Sequence, residues 1–113
     1  MADCFDLTNR VAVVIGATSG IGRVLAVGLA QHRADVVPTG RRLDAIEEVC
    51  REVEAAGRRT LRQPADVRER ESLDRLCDAV LDRFGRVDIL VNAAGYTFKQ
   101  PTVTVSEDQW QSL

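Results

Sequence analysis

An unbroken apolar run, Val11-Ala12-Val13-Val14-Ile15, leads straight into three glycines, Gly16, Gly20 and Gly22, and then into a helical apolar pattern. A run this rich in β-branched residues suits a strand buried on both faces, as in a parallel sheet, and not an alternating strand with one wet face. The glycines follow at G-x-x-x-G-x-G spacing, where the missing Cβ lets the chain turn sharply and lets a ligand approach the backbone. Val24, Leu25, Val27, Leu29 and Ala30 then mark the apolar face of a helix from Gly20 to Gln31, so the helix begins inside the glycine loop. A first helical turn carries unpaired N–H groups and a partial positive charge. Its natural guest is an anion, here the pyrophosphate of a dinucleotide, and the candidate residues at this loop and helix start are Gly16, Thr18, Ser19, Gly20, Ile21 and Gly22. No Gly-Lys-Ser/Thr follows, which argues against a nucleoside-triphosphate loop.

The remaining chain repeats the alternation. A first strand is predicted over residues 10–15 and a second from Asp35 to Pro38 or Thr39, cut there because proline removes a ladder donor. His32 and Arg33 stand at the helix exit where a glycine would be expected, and His32 reads as a C-terminal helix charge. Leu43, Ile46, Val49, Cys50 and Val53 recur at helical spacing, closed by Gly57; a weakly marked third strand over 59–63 is expected because strand and helix alternate. Leu73, Leu76, Cys77, Val80, Leu81 and Phe84 form the next helical stripe, stopped by Gly85, and 87–91 is the fourth strand. The pattern predicts an α/β, Rossmann-like, doubly wound parallel sheet in the order 3-2-1-4, with right-handed crossovers, ending at strand four. In such a sheet the ligand crevice lies at the carboxyl ends of the strands. There the glycine loop, Arg41-Arg42, Asp66-Val67 and Asn92-Ala93-Ala94-Gly95 converge.

A chain of 113 residues is the size of one domain, here 1–113. Its net charge of −2, with 15 basic side chains spread among 17 acidic ones, offers no basic stripe for nucleic acid. No stretch is long and apolar enough to span a membrane, and the start, Met-Ala-Asp-Cys-Phe-Asp, lacks the basic and apolar segments of a signal peptide, so a cytoplasmic protein is expected. Cys4, Cys50 and Cys77 are too far apart for a C-x-x-C site, and Cys50 and Cys77 are expected on apolar helix faces.

The glycine loop resembles that of the short-chain dehydrogenases/reductases, where Thr-Gly-x-x-x-Gly-Ile-Gly occupies this place; Ile15 stands here for the threonine. The resemblance extends over nearly the whole chain from Leu7 onward. It implies that the Asp66 carboxylate faces an adenine ring with the Val67 backbone beside it. It also implies that Asn92-Ala93-Ala94-Gly95, a variant of the family's Asn-Asn-Ala-Gly, supports the sheet and lines the cofactor ribose. After strand two, NAD enzymes usually place a carboxylate that repels a 2′-phosphate. Gly40 holds that position here and Arg41-Arg42 follow, which predicts NADP (NADPH) over NAD.

The resemblance further implies an oxidoreductase acting on a small alcohol or carbonyl substrate, whose Ser and Tyr-x-x-x-Lys pair move the proton. Neither is present in this sequence. Tyr96 and Lys99 have the wrong spacing and read as loop residues bordering a substrate pocket, so no catalytic residue and no metal ligand is assigned. Ser106 and Gln109 form a capping box, with Val105 and Trp110 as a hydrophobic staple, announcing a helix that reaches only Leu113. The expectation is the amino-terminal, cofactor-binding part of a longer enzyme, inactive by itself and associating through the apolar edge of strand four as a homo-oligomer. The rival readings are a non-catalytic dinucleotide-binding module functional at this length, and a methyltransferase, which would usually carry an acid after strand two.

Overall fold

The computed structural model describes residues 4–95 and 99–112. The elements follow in the order β1 (Val11–Ile15), α1 (Gly20–Gln31), β2 (Asp35–Thr39), α2 (Leu43–Ala55), α3 (Arg70–Phe84), β3 (Ile89–Asn92), a 3₁₀ turn (Thr102–Thr104) and α4 (Glu107–Ser112). The strands form a parallel sheet in the order β2-β1-β3, with Val13 opposite both Val37 and Leu90. These are the second, first and fourth strands of the expected order.

The central strand explains the apolar run. Ala12 and Val14 pack with Val36 against Ala26 and Ala30 of α1 and Val49 and Val53 of α2. Val11 and Val13 pack with Val37 on the opposite face, against Leu76 and Val80 of α3. Alternate side chains thus enter two different cores, and every residue from Val11 to Val14 is buried. A buried valine contributes roughly 1.5–3 kcal/mol, so β1 is both the geometric and the energetic centre of the sheet.

The expected third strand is corrected. Residues 59–65 run alongside the outer edge of β2, parallel to it, but no strand is assigned there. The cause is Pro38. Val36 donates its N–H outward to the Arg59 carbonyl at 3.1 Å, and residue 38, two further along, would use the same side. As proline it has nothing to donate. The segment is held instead by Thr39, whose Oγ1 donates to the Gln63 carbonyl at 2.6 Å, and by the Ala65 N–H, which donates to the Gly40 carbonyl at 2.8 Å.

Local signals largely hold. His32 caps α1, and Arg33 takes the left-handed turn (φ 78°) in place of a glycine, its guanidinium 2.7 Å from Asp6. Gly85, also left-handed, ends α3. The Ser106 Oγ accepts from the Gln109 N–H at 3.1 Å while Gln109 Oε1 accepts from the Ser106 N–H at 2.9 Å, a closed capping box at the start of α4. Cys77 differs from expectation: it is exposed, whereas Cys50 is buried. Leu73, Leu76, Val80 and Phe84 are the α3 side chains that pack in the core on this face, and position 77 lies one step round the helix from that line. Among the described residues no helix is long and apolar enough to cross a membrane.

Candidate functional site

The carboxyl ends of the strands deliver their loops to one rim, where a cleft of about 730 Å³ opens. Backbone bonds knit the loops together before any ligand arrives. The N–H groups of Gly16 and Ala17 both donate to the Thr39 carbonyl, at 2.9 and 3.1 Å, and the Ala93 N–H donates to the Ile15 carbonyl at 2.8 Å. The loops after β1, β2 and β3 therefore form a single rigid floor.

Two glycines make that floor possible by close approach. A Cβ on Gly22 would lie 2.0 Å from the Gly16 carbonyl oxygen. One on Gly16, which also has φ 84°, would lie 2.5 Å from the Ala94 nitrogen. The α1 start, the loop and the 93–95 segment could not pack this closely with side chains at either place. Ser19 stands at the N-cap with an extended backbone and makes no side-chain bond to the first turn, which leaves that turn's N–H groups open to a guest.

The expected site residues Gly16, Thr18, Ser19, Ile21, Gly22, Arg41, Arg42, Asp66, Val67, Ala93, Ala94 and Gly95 all line this cleft. Gly20 and Asn92 do not. Gly20 begins α1 with open space where a Cβ would be, and Asn92 is the last residue of β3, in register with Ile15. Lys99 is exposed and outside the lining, and Tyr96 lies outside the described residues. The lining also includes Ile15, Gly40, Ala65, Arg68 and Ser112, which were not assigned as site residues from the sequence. Of these Arg68 carried no signal at all, because its part depends on where Asp66 is.

Charge is unevenly satisfied here. Most guanidiniums of the chain meet a carboxylate, as Arg23 does with Glu52 at 2.8 Å and Arg62 with Glu54 at 2.7 Å. Arg41 and Arg42 are exposed in the cleft, and their guanidiniums make no ion pair or hydrogen bond within the described residues. Hydrogen bonds from Arg68 hold the Asp66 carboxyl below the usual carboxylate range, and the charge of Arg41 adds to this. A cleft with two guanidiniums outside any ion pair among the described residues, an open helix start and a compact polar floor fits a phosphate-bearing ligand of dinucleotide size. No group of three or more metal-ligating side chains occurs among the described residues.

Residues 10–113 match the family model of the short chain dehydrogenases. The chain belongs to that family. Among its curated relatives, 2-dehydro-3-deoxy-D-gluconate 5-dehydrogenase of Escherichia coli is 38% identical over 96% of this chain and 42% of its own length. Among solved structures, a metagenomic short-chain oxidoreductase in complex with NADP superposes with a TM-score of 0.87 at 36% identity, over 96% of this chain and 49% of that one. The L-sorbose reductase of Gluconobacter frateurii, complexed with NADPH and L-sorbose, gives 0.89 at 34% identity, over 95% and 41%. The chain spans less than half the length of each of these short-chain dehydrogenase relatives. The threonine expected before the family's first glycine is Ile15, whose side chain here joins the core on the α3 face.

Proposed function

We propose that this chain binds NADP(H) and that the whole protein transfers a hydride between that cofactor and a small alcohol or carbonyl substrate. The observation that carries the choice of cofactor is the pair Arg41-Arg42 after β2, whose guanidiniums have no ion-pair partner among the described residues and which directly follow a glycine that offers no carboxylate. A planar guanidinium suits the 2′-phosphate of NADP, whereas the ribose diol of NAD is better served by an acid. The first-turn N–H groups of α1 would hold the pyrophosphate, Asp66 and Val67 the adenine, and Ala93 to Gly95 the ribose beyond it. The cofactor, when bound, supplies the hydride; these residues bind and orient it. That two structural relatives carry NADP or NADPH supports the same choice. The three free cysteines support a reducing, cytoplasmic setting, and the exposed Leu90 on β3 supports a homo-oligomer.

The test is the ratio of NADPH to NADH affinities in the intact protein and in Arg41→Ala. One charge-assisted contact to a phosphate is worth about 1.5–3 kcal/mol, so the substitution should weaken NADPH about ten- to a hundredfold and leave NADH nearly unchanged. Equal affinities in the parent, or an unchanged ratio in the variant, would refute NADP as the preferred cofactor.

A further inference from the structure

Asp66 reaches the cleft already held. The guanidinium of Arg68 grips its carboxylate as a fork, Nε donating to Oδ1 and Nη2 to Oδ2, both at 3.2 Å, and the Arg68 backbone N–H donates to Oδ1 at 3.0 Å. Oδ1 thus accepts two bonds and Oδ2 one, so the spare acceptor capacity of the pair lies mainly on Oδ2. The backbone behind the carboxylate is also pinned. The Asp66 N–H donates to Oγ of Ser72 at 2.8 Å, and Ser72 is buried in the first turn of α3. The Asp66 carbonyl accepts from the Glu69 N–H at 3.0 Å, and the Ala65 N–H ties the same turn to Gly40 after β2. Asp66, Val67 and Arg68 all line the cleft.

We propose that Arg68 is a positioning residue for adenine, holding the Asp66 carboxylate in place so that Oδ2 accepts from the ring's exocyclic amino group. This rests on the reading of Asp66 as the residue that meets adenine. An aspartate side chain at a cleft wall, with 19% of its surface exposed, would otherwise sample several rotamers and lose that freedom on binding. The fork removes the freedom beforehand and leaves one oxygen for the ligand. Arg68 is suited to this and lysine is not, because only a planar two-point donor fixes the plane of a carboxylate.

The experiment compares NADPH with its hypoxanthine counterpart, in which a carbonyl replaces the adenine amino group, by fluorescence titration of the intact protein, Arg68→Ala and Arg68→Lys. The parent should prefer NADPH by about tenfold or more, the value of one hydrogen bond to a charged acceptor. Arg68→Ala should lose most of that preference, binding NADPH about tenfold more weakly while the hypoxanthine analogue changes by less than about threefold; Arg68→Lys should fall between. A general structural role would weaken both ligands alike, and a role in blocking the site would tighten NADPH in Arg68→Ala. Either result overturns the proposal. A parent that does not discriminate between the two dinucleotides would instead remove the adenine reading of Asp66, and the role of Arg68 with it. Arg68 is largely exposed, so folding of the variants is expected to survive, and circular dichroism of each verifies it.

Discussion

Two glycines on the same helix make opposite predictions when changed to alanine. Gly22 and Gly28 both lie in α1, and at either place alanine gains the ordinary helix preference, up to about 1 kcal/mol. At Gly28 the new Cβ meets nothing within 4 Å, so Gly28→Ala should stabilise by most of that amount. At Gly22 it would lie 2.0 Å from the Gly16 oxygen and 2.8 Å from the Gly16 carbonyl carbon. Those are backbone atoms, held in turn by the bond from the Gly16 N–H to Thr39, so no side-chain rotation relieves the overlap. Either the start of α1 lifts or the loop moves. Overpacking of this kind costs about 1–3 kcal/mol, and the backbone contact argues for the upper part of that range. Net of the helix gain, Gly22→Ala should destabilise by about 1–2 kcal/mol, and the two variants should differ by about 2–3 kcal/mol. Urea unfolding of the intact protein and both variants, at a common slope, measures the difference. Because the helix start is the proposed pyrophosphate seat, Gly22→Ala should also weaken NADPH, and Gly28→Ala should not. A Gly22→Ala protein as stable as Gly28→Ala would show that the close approach does not constrain the loop.

Three other outcomes are expected. The Asp35 carboxylate is buried; burial by itself would raise its pKa, but hydrogen bonds from Arg59 and the charge of Arg58 outweigh this and hold it below the usual carboxylate value of 3.8. Its contribution is therefore present above that value and lost as pH falls through the lower folded one, so Asp35→Asn should cost about 2–3 kcal/mol at neutral pH and progressively less as pH falls below 3.8, read by urea unfolding across pH. Leu90 is 65% exposed and β3 is hydrogen-bonded to β1 alone among the described residues, so the 113-residue chain should self-associate in sedimentation and Leu90→Lys should reduce it; a clean monomer would contradict this. The 113-residue chain is also expected to reduce no carbonyl substrate with NADPH in a spectrophotometric assay, because it holds no Tyr-x-x-x-Lys pair to give the proton-transfer help of roughly 10²–10⁴-fold; turnover by the chain alone would contradict this.

What the order of residues determined by itself was local and periodic. The unbroken run from Val11 to Ile15 demands burial on both faces, and it received two separate cores. Gly20 to Gln31 could be delimited from its loop and exit, and Ser106 with Gln109 formed the box that their spacing announced. The convergence of four loops at one rim was legible because a right-handed parallel alternation leaves no other end for them. Tertiary structure decided whatever depends on which atoms meet across the chain. Pro38 is legible as a proline, but only the outward direction of the Val36 N–H shows that the missing donor falls on the side of residues 59–63 and dissolves that strand. Cys77 and Val80 share an apolar stripe on paper; the narrow contact of α3 with the sheet buries one and exposes the other. Gly16 is needed because Ala94, far along the chain, passes within touching distance, and Arg68 matters because a turn brings its fork onto Asp66. A sequence records each residue's preference for helix, strand or turn, since those are set within a few neighbours. Close approach and the pairing of charges arise only when distant segments share space, and so they belong to the fold.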